Sequence, residues 1–385
     1  MRKIGVGIIG YGYWGQNYVR IFRELPQARI VTVCDRSADR LRLARSAYSS
    51  VVTARDCGAL LDNPDVDVVV VATPATDHFT TVRDSLLAGK HVLVEKPMTL
   101  DVRQAETLIT LSQRRERVLM VGHTFLYNPG IRKVKACVDA ECFGRVYYLY
   151  AVRTNMGPVR RDVNALWDLA PHDISIFNYL LDRAPERVSA VGARCLGGMQ
   201  EDVGYITLWY SGGVVGNIHV SWVDPQKVRK VVVVGDQRRV VFDDLRSADR
   251  VRIFEKGVMA EPVEAESFGE FRLHVHDGDI ICPKVDASEP LKNQCKALLE
   301  SIIDGESPLS DGRSGLDVIR VMTAVERSVR LNGAPVEVEP SLGGERRAAA
   351  RLRQPANGSL AVVPTRPAFD RHHEVVQSGP RRRSA

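Results

Sequence analysis

The run Ile4-Gly-Val-Gly-Ile-Ile9 leads directly into Gly10-Tyr-Gly12-Tyr-Trp-Gly15, and this order constrains the fold more than any other feature of the chain. The first part reads as a short buried strand, and the glycines fall where a strand turns sharply into a helix, expected over Trp14–Leu25. Gly10 permits the tight turn, Gly12 lets a ligand approach the backbone, and Gly15 lets helix and strand pack closely. Asp35 lies 20 residues beyond Gly15, at the end of the next strand candidate, Ile30–Cys34. Strand, glycine turn, helix and late acid together make a dinucleotide fingerprint, with free amides at the helix start facing the phosphates. Asp35 suits the adenosine ribose hydroxyls and repels a 2′-phosphate, which favours NAD. Arg36 could stack on adenine or bind that phosphate, so NADP stays open.

Up to about residue 122 the same alternation continues. Strands are expected at Val66–Ala72, His91–Val94 and Val118–Val121, and helices at Ala38–Tyr48, His78–Ala88 and Val102–Arg114. The segment VDVVVVA over 66–72 is nearly all apolar, as in a central parallel strand covered on both faces. The class is α/β, with an N-terminal Rossmann doubly wound parallel sheet over residues 1–122. Beyond about residue 145, strand-like runs follow one another with few helices between: Val146–Arg153, Val188–Arg194, Tyr205–Tyr210, Val214–Trp222, Val231–Val234 and Val240–Phe242. Gly212-Gly213 and Gly235-Asp236 read as turns. Helices return at Pro290–Asp304 and about Gly312–Leu331. Residues 123–340 are thus expected to form a C-terminal α+β domain with an open-faced, largely antiparallel sheet, its last helices free to pack back on the first domain.

The 385 residues carry a formal charge of +6, and the segment after Pro340, with nine arginines against Glu345, Asp370 and Glu374, accounts for all of it. The preceding 340 residues are therefore neutral, which disfavours a basic nucleic-acid-binding body. Residues 341–385 are expected to be a disordered basic tail, in which His372-His373 and Arg381-Arg382-Arg383 are solvated charge without a role. No apolar run nears the ~18 residues of a membrane helix. No signal segment precedes the first strand, so a cytoplasmic protein is expected. Seven scattered cysteines (Cys34, Cys57, Cys137, Cys142, Cys195, Cys282 and Cys295) read as reduced thiols. His274 and His276 share a strand face beside Asp277 but lack a third ligand, so no metal is expected.

Two more loops leave the carboxyl ends of parallel strands, where a doubly wound sheet forms its ligand crevice. One is Ala72-Thr73-Pro74-Ala-Thr-Asp-His78 and the other Glu95-Lys96-Pro97. A cis peptide at Pro97 would aim Lys96 into the crevice. The expected cofactor contacts are therefore Gly10, Gly12, Tyr13, Trp14, Gly15, Asp35, Arg36, Thr73, Pro74, His78, Glu95, Lys96 and Pro97. His123 and Asn128, after the last parallel strand, would line the same crevice.

Together with LWDLAPHDIS over 166–175, the GYGYWG turn and the EKP loop make the chain similar to the Gfo/Idh/MocA oxidoreductase family over about residues 3–340. The resemblance implies a Rossmann domain followed by an open sheet that supplies the substrate floor and commonly an oligomer interface, hence a homodimer or homotetramer. It also implies hydride transfer between a nicotinamide and a carbon of a sugar, cyclitol or related polyol. The family's catalytic lysine maps onto Lys96, and its aspartate and histidine onto Asp168 and His172. An imidazole suits proton transfer, and Asp168 one helical turn earlier would orient it. Lys96 would hold the substrate oxygen and stabilise developing alkoxide charge, with the proton acceptor left open between Lys96 and His172. Pro171, where the family often has glycine, fits only near a helix start. Asp173 reads as a capping or supporting acid.

Arg153, Asn155, Arg160 and Asn164, leading into Trp167, resemble members of nucleotide-sugar and aminosugar pathways. Arginines grip phosphate or carboxylate, asparagines read hydroxyls, and an indole stacks on a ring. Trp222, Lys227 and Arg229 would close the pocket. The expected reaction is oxidation or reduction of a ring carbinol, preferentially at C3, of a nucleotide-linked hexose or hexosamine. The alternatives are an inositol, aminocyclitol or free-sugar dehydrogenase, a redox-neutral NAD-dependent glycosidase, and a non-catalytic dinucleotide-responsive regulator.

Overall fold

The computed structural model describes residues 2–49, 51–157, 159–160, 162–260 and 273–340; the expected basic tail lies outside the described residues. Strands β1 (Ile4–Ile9), β2 (Ala28–Cys34), β3 (Val52–Ala54), β4 (Val68–Val71), β5 (His91–Val94) and β6 (Leu119–Val121) form one parallel sheet in the order β3-β2-β1-β4-β5-β6. Between them run helices α1 (Tyr13–Glu24), α2 (Ala38–Ala47), α3 (Cys57–Leu61), α4 (Ala75–Leu87) and α5 (Val102–Arg114). The strand order reverses between β1 and β4, so the ligand crevice opens at their carboxyl ends. Strand β4 is four valines, all buried, because helices cover both faces. Sequence did not reveal β3 and α3, which are three and five residues long and too short for a hydrophobic period to register.

The second half contains α6 (Pro129–Val138), β7 (Val146–Met156), α7 (Ala165–Leu181), β8 (Arg187–Ala193), β9 (Val203–Trp209), β10 (Val215–Ser221), β11 (Val223–Gly235), β12 (Arg239–Asp243), β13 (Val251–Ala260) and β14 (Leu273–Ile281). The chain ends its described part with α8 (Pro290–Asp304), α9 (Gly312–Arg330) and β15 (Val336–Glu337). The nine-stranded sheet runs β14-β13-β12-β11-β7-β10-β9-β8-β15. Strand β7 pairs in parallel with β10 and antiparallel with β11, and the other ladders are antiparallel, so the sheet is mixed and largely antiparallel as expected. One face packs under α7, while the other exposes Tyr148, Val191 and Tyr205, the last stacked on His219 at 4.4 Å between ring centroids.

Helix α7 corrects one expectation: Asp168 and His172 do lie on a helix, but Pro171 sits well inside it rather than near its start. Asn164 caps the helix, its Oδ1 accepting from the Trp167 amide at 3.0 Å, so the helix begins a turn and a half before the proline. An interior proline costs about 3 kcal/mol. Burial of Leu166, Trp167, Ala170, Ile174, Ile176, Phe177 and Leu180 in the core offsets that cost.

The last two helices return to the first sheet. Ser310, just ahead of α9, donates from Oγ to the Val121 carbonyl at 2.7 Å and accepts the Val121 amide at 2.8 Å. A Cβ on Gly315 would lie 2.7 Å from Val121 Cγ2, so helix and strand are in close contact. Arg20 and Glu24 on α1 pair with Glu289 and Lys292 at 2.6 and 2.7 Å. Among the described residues, no helix is long and apolar enough to cross a membrane.

Candidate active site

The glycine turn separates what the protein requires from what a ligand requires. Gly10 has φ +93°, and a Cβ there would lie 2.5 Å from the Ala72 carbonyl oxygen; a Cβ on Gly15 would lie 1.9 Å from the Gly10 carbonyl oxygen. Packing alone demands both. A Cβ on Gly12 would meet only Arg40 Nη1, at 4.0 Å. The missing side chain there leaves open space over the first amides of α1, the cradle a pyrophosphate occupies. The residues therefore fit a dinucleotide. Gly12→Ala is expected to lower the melting temperature by no more than about 2–4 °C, the equivalent of ~1 kcal/mol. It should weaken NAD binding about tenfold or more, which is ~1.4 kcal/mol. Gly15→Ala, by contrast, should abolish the folded yield. Thermal melts and NAD titration check the pair.

Asp35, nearly buried, accepts the amides of Tyr11 at 2.7 Å and Ser37 at 2.8 Å. Arg40, which sequence reasoning missed, reaches its other side at 3.4 Å from the first turn of α2. The exposed Arg36 pairs with Asp77 at 3.5 Å. Tyr13 and Trp14 stand exposed at the start of α1, edge to face at 5.4 Å.

The Lys96–Pro97 peptide is cis. Glu95 turns inward, where its carboxylate accepts the Tyr18 hydroxyl at 2.7 Å and the Lys96 amide at 3.2 Å, and burial raises its pKa. Gln294 of α8 donates to that tyrosine at 3.2 Å and accepts the Thr124 hydroxyl at 2.7 Å. His78 places its two ring nitrogens 2.7 and 3.0 Å from the carbonyls of Pro97 and Thr73, tying together the two crevice loops. A neutral ring donates to only one carbonyl, and burial pushes the pKa down. Pro74 begins α4, and the buried Thr73 hydroxyl has no protein partner among the described residues.

Lys96 points the other way, to Asp168: its ammonium donates to the Asp168 carbonyl at 2.7 Å and to Oδ1 at 3.1 Å. The same carboxylate accepts Arg160 at 3.0 Å and the Trp222 indole N–H at 3.2 Å. Burial would raise the Asp168 pKa, but the charges of Lys96 and Arg160 and the hydrogen bonds hold it below its ordinary value. Arg160 is in turn gripped by Asp162 through both its terminal and Nε groups, at 2.5 and 2.9 Å. The expectation that Asp168 orients His172 is not what the geometry gives: the carboxylate faces Lys96, Arg160 and Trp222. His172 packs edge on against Phe125 at 5.2 Å, and its buried Nδ1 has no partner among the described residues. Burial first, then the positive charges of Lys96 and Arg153, drive its pKa well below the usual value. His123 is also buried with both ring nitrogens unpartnered among the described residues, and burial beside Lys96 lowers it to about 3.

These rings set a pH dependence. His91, buried at the opposite end of the sheet, is lowered to about 4 by burial and by Arg117. Below about pH 6.5 the unfolded chain binds protons at His91, His123 and His172 that the folded chain refuses, so stability falls as pH falls. Melting temperature is expected to decline from pH 6.5 towards pH 4, with a shallower slope in His91→Gln. Thermal melts across that range check it.

The other expected substrate residues divide. Arg153 is held by Asp173 through two 2.8 Å bonds, both side chains buried, and lies 4.3 Å over the Phe125 ring. Asn164 is the α7 cap and donates to Glu201 at 2.8 Å; Asn128 caps α6 and donates to Asp244 at 3.1 Å. Trp167 belongs to the hydrophobic core. Arg229 pairs with Asp244 at 3.5 Å, and Lys227 is exposed. Asn155 carries a buried Oδ1 without a partner among the described residues. Asp277, away from this site, pairs with Lys256 at 3.0 Å.

Comparison with known proteins agrees with this geometry. Residues 4–123 match a family described as an oxidoreductase family with an NAD-binding Rossmann fold, and residues 131–241 match the GFO/IDH/MocA C-terminal domain, together more than half of the chain. A UDP-N-acetylglucosamine 3-dehydrogenase of Acidithiobacillus ferrooxidans is 29% identical over 270 residues, 68% of this chain and 80% of that protein. A D-apiose dehydrogenase of Paraburkholderia graminis is 25% identical over 364 residues, 88% of this chain and 91% of that one. The WlbA dehydrogenase of Bordetella pertussis, solved with NADH and UDP-GlcNAcA, shares the fold at a TM-score of 0.71 and 20% identity, over 88% of this chain and 100% of that chain.

Proposed function

From the chain's membership of the Gfo/Idh/MocA oxidoreductase family, we propose that it is an NAD-dependent dehydrogenase or ketoreductase for the C3 hydroxyl of a nucleotide-linked hexose or hexosamine. The observation that carries this is the Lys96–Asp168 pair, 3.1 Å apart, beside the switch-point crevice. The relative named for the 3-position of a UDP-linked hexosamine supports the substrate class, and the one named for apiose supports only sugar oxidation in general. Bound NAD supplies the hydride acceptor or donor.

The chain's own residues do the rest. Asp35 holds the adenosine ribose and the α1 amides hold the pyrophosphate. Lys96, fixed on Asp168 by two of its three donors, directs the remaining N–H to the substrate oxygen and stabilises negative charge there. Half-buried Asp168 keeps Lys96 fixed. His172, kept neutral by burial, has the free lone pair to take the hydroxyl proton on oxidation and returns it on reduction. Arg160 and Arg229 supply positive charge for the substrate's diphosphate, with Asn155 reading a sugar hydroxyl. The protein works in the cytoplasm as a homo-oligomer.

The test mixes stoichiometric enzyme and NAD with UDP- and dTDP-linked hexoses and hexosamines, free glucose and inositols, following reduced-nicotinamide absorbance, with NADP in parallel. A signal confined to nucleotide-linked sugars is expected. A signal only from free polyols overturns the substrate class. Cleavage of an aryl glycoside without net nicotinamide change replaces the reaction with redox-neutral hydrolysis.

A further inference from the structure

Two of the seven cysteines face each other beside the adenosine end of the crevice. Cys34 is the last residue of β2, fully buried, and directly precedes Asp35. Cys57 is the first residue of α3, half-buried, with its Sγ 3.5 Å from that of Cys34. Neither position was expected to do more than fill space. Strand β3, which separates them in sequence, lies alongside β2, pairing Cys34 with Ala54, so the main chain already holds the two thiols in register. The sulfurs of a disulfide lie ~2.05 Å apart, so the pair, now 3.5 Å apart, must close by about 1.5 Å to be linked.

We propose that Cys34 and Cys57 form an oxidisable dithiol, taking hydrogen peroxide as oxidant, whose disulfide weakens dinucleotide binding. The more accessible Cys57 attacks the peroxide as thiolate: an S–O bond forms, the O–O bond breaks, and the released hydroxide leaves as water. The Cys34 thiol then attacks the resulting sulfenic sulfur. The S–S bond forms, the S–O bond breaks, and the oxygen departs with the Cys34 proton as a second water. Two thiols and one peroxide thus give one disulfide and two waters, the peroxide being reduced by two electrons. The contact with Cys34 is the largest influence lowering the Cys57 pKa and Arg36 adds to the fall, against partial burial, Asp56 and Asp35, which favours Cys57 as the attacking thiolate.

The coupling to the cofactor rests on the role of Asp35 proposed above. Asp35 N donates to the Ala54 carbonyl at 3.2 Å, and its carboxylate anchors the Tyr11 and Ser37 amides. Drawing Cys34 towards α3 shifts the residue next to it and so loosens that anchor. By reciprocity, bound dinucleotide disfavours the disulfide at equilibrium.

The test treats the reduced full-length chain with hydrogen peroxide, blocks remaining thiols with N-ethylmaleimide, and maps peptides by mass spectrometry. A crosslink joining the peptides of Cys34 and Cys57, two hydrogens lighter, is expected, and in a glutathione redox buffer NAD shifts the equilibrium towards the dithiol. Oxidised protein should bind NAD about tenfold more weakly, within the usual range of coupling between sites, and dithiothreitol should restore it. In Cys34→Ala, a dimedone adduct at Cys57 replaces the crosslink, and in Cys57→Ser peroxide leaves NAD affinity unchanged. Oxidation of the exposed Cys142, Cys195 and Cys282 before any 34–57 crosslink overturns the dithiol. A crosslink with unaltered NAD affinity overturns the coupling. Failure of the reduced protein to bind NAD overturns the cofactor assignment of Asp35 and leaves the crosslink result to stand on its own.

Discussion

A Lys96→Ala enzyme is expected to lose about 10³-fold in kcat, the scale of removing a preorganised donor from a developing oxyanion, while NAD affinity changes by less than about threefold. The asymmetry follows from where the ammonium points. It leans on the Asp168 carbonyl and carboxylate and away from the Asp35 end of the crevice, so its loss strips charge from the reacting oxygen and leaves the dinucleotide cradle intact. Lys96→Arg should not rescue the rate, because a planar fork cannot meet a carbonyl and a carboxylate oxygen at 2.7 and 3.1 Å and still aim a donor into the crevice. Single-turnover rates with whichever sugar gives the nicotinamide signal, beside fluorescence titration of NAD, check both halves. A loss below tenfold would remove Lys96 from the chemistry.

The second large effect is on stability. Arg153→Met is expected to cost about 3–5 kcal/mol, because it strands the buried Asp173 carboxylate without its partner. At the usual entropy of unfolding for a body of this size, that is a fall of roughly 4–7 °C in Tm. The double variant Arg153→Met with Asp173→Leu should recover most of it, since replacing both charges leaves none stranded. The guanidinium also covers one face of Phe125, and His172 packs edge on against the same ring. The double variant should therefore regain Tm without regaining full turnover. Equal recovery of both would make the ion pair purely structural.

Residues that act within a few positions of one another could be read from the chain. The β1–α1 turn announced itself because strand, glycines and helix follow in order, and Asp35 because the crossover has a nearly fixed length. The four central strands of the parallel sheet were legible from continuous apolar runs. Strands β13 and β14 were not: charged residues such as Arg252, Lys256 and Asp277 interrupt the alternation. The helical turn from Asp168 to His172 was legible, but the full extent of α7 was not, since a helix buried on most sides shows little amphipathic contrast and Pro171 reads as a breaker. The site failed where it depends on distance in sequence. Lys96, Arg160 and Trp222 converge on Asp168 from three separate segments, and no spacing announces that a carboxylate one helical turn from a histidine will face a lysine instead. Asn128 and Asn164 illustrate the converse, polar residues near a crevice that serve as helix caps.

The contact of Ser310 and α9 with β6 has a consequence for how the protein is born. The outer strand of the nucleotide-binding sheet receives its partner from a segment made about 190 residues later, a wait of roughly 10–40 s at ordinary rates of translation. Until then β6 leaves the ribosome without the partners Ser310 gives to the Val121 amide and carbonyl, and with the apolar surface that α9 will cover. The half of the molecule that carries the fingerprint cannot finish first. A lesion that halts synthesis between residues 123 and 310 leaves a chain with the whole fingerprint present and a sticky edge where its cover should be.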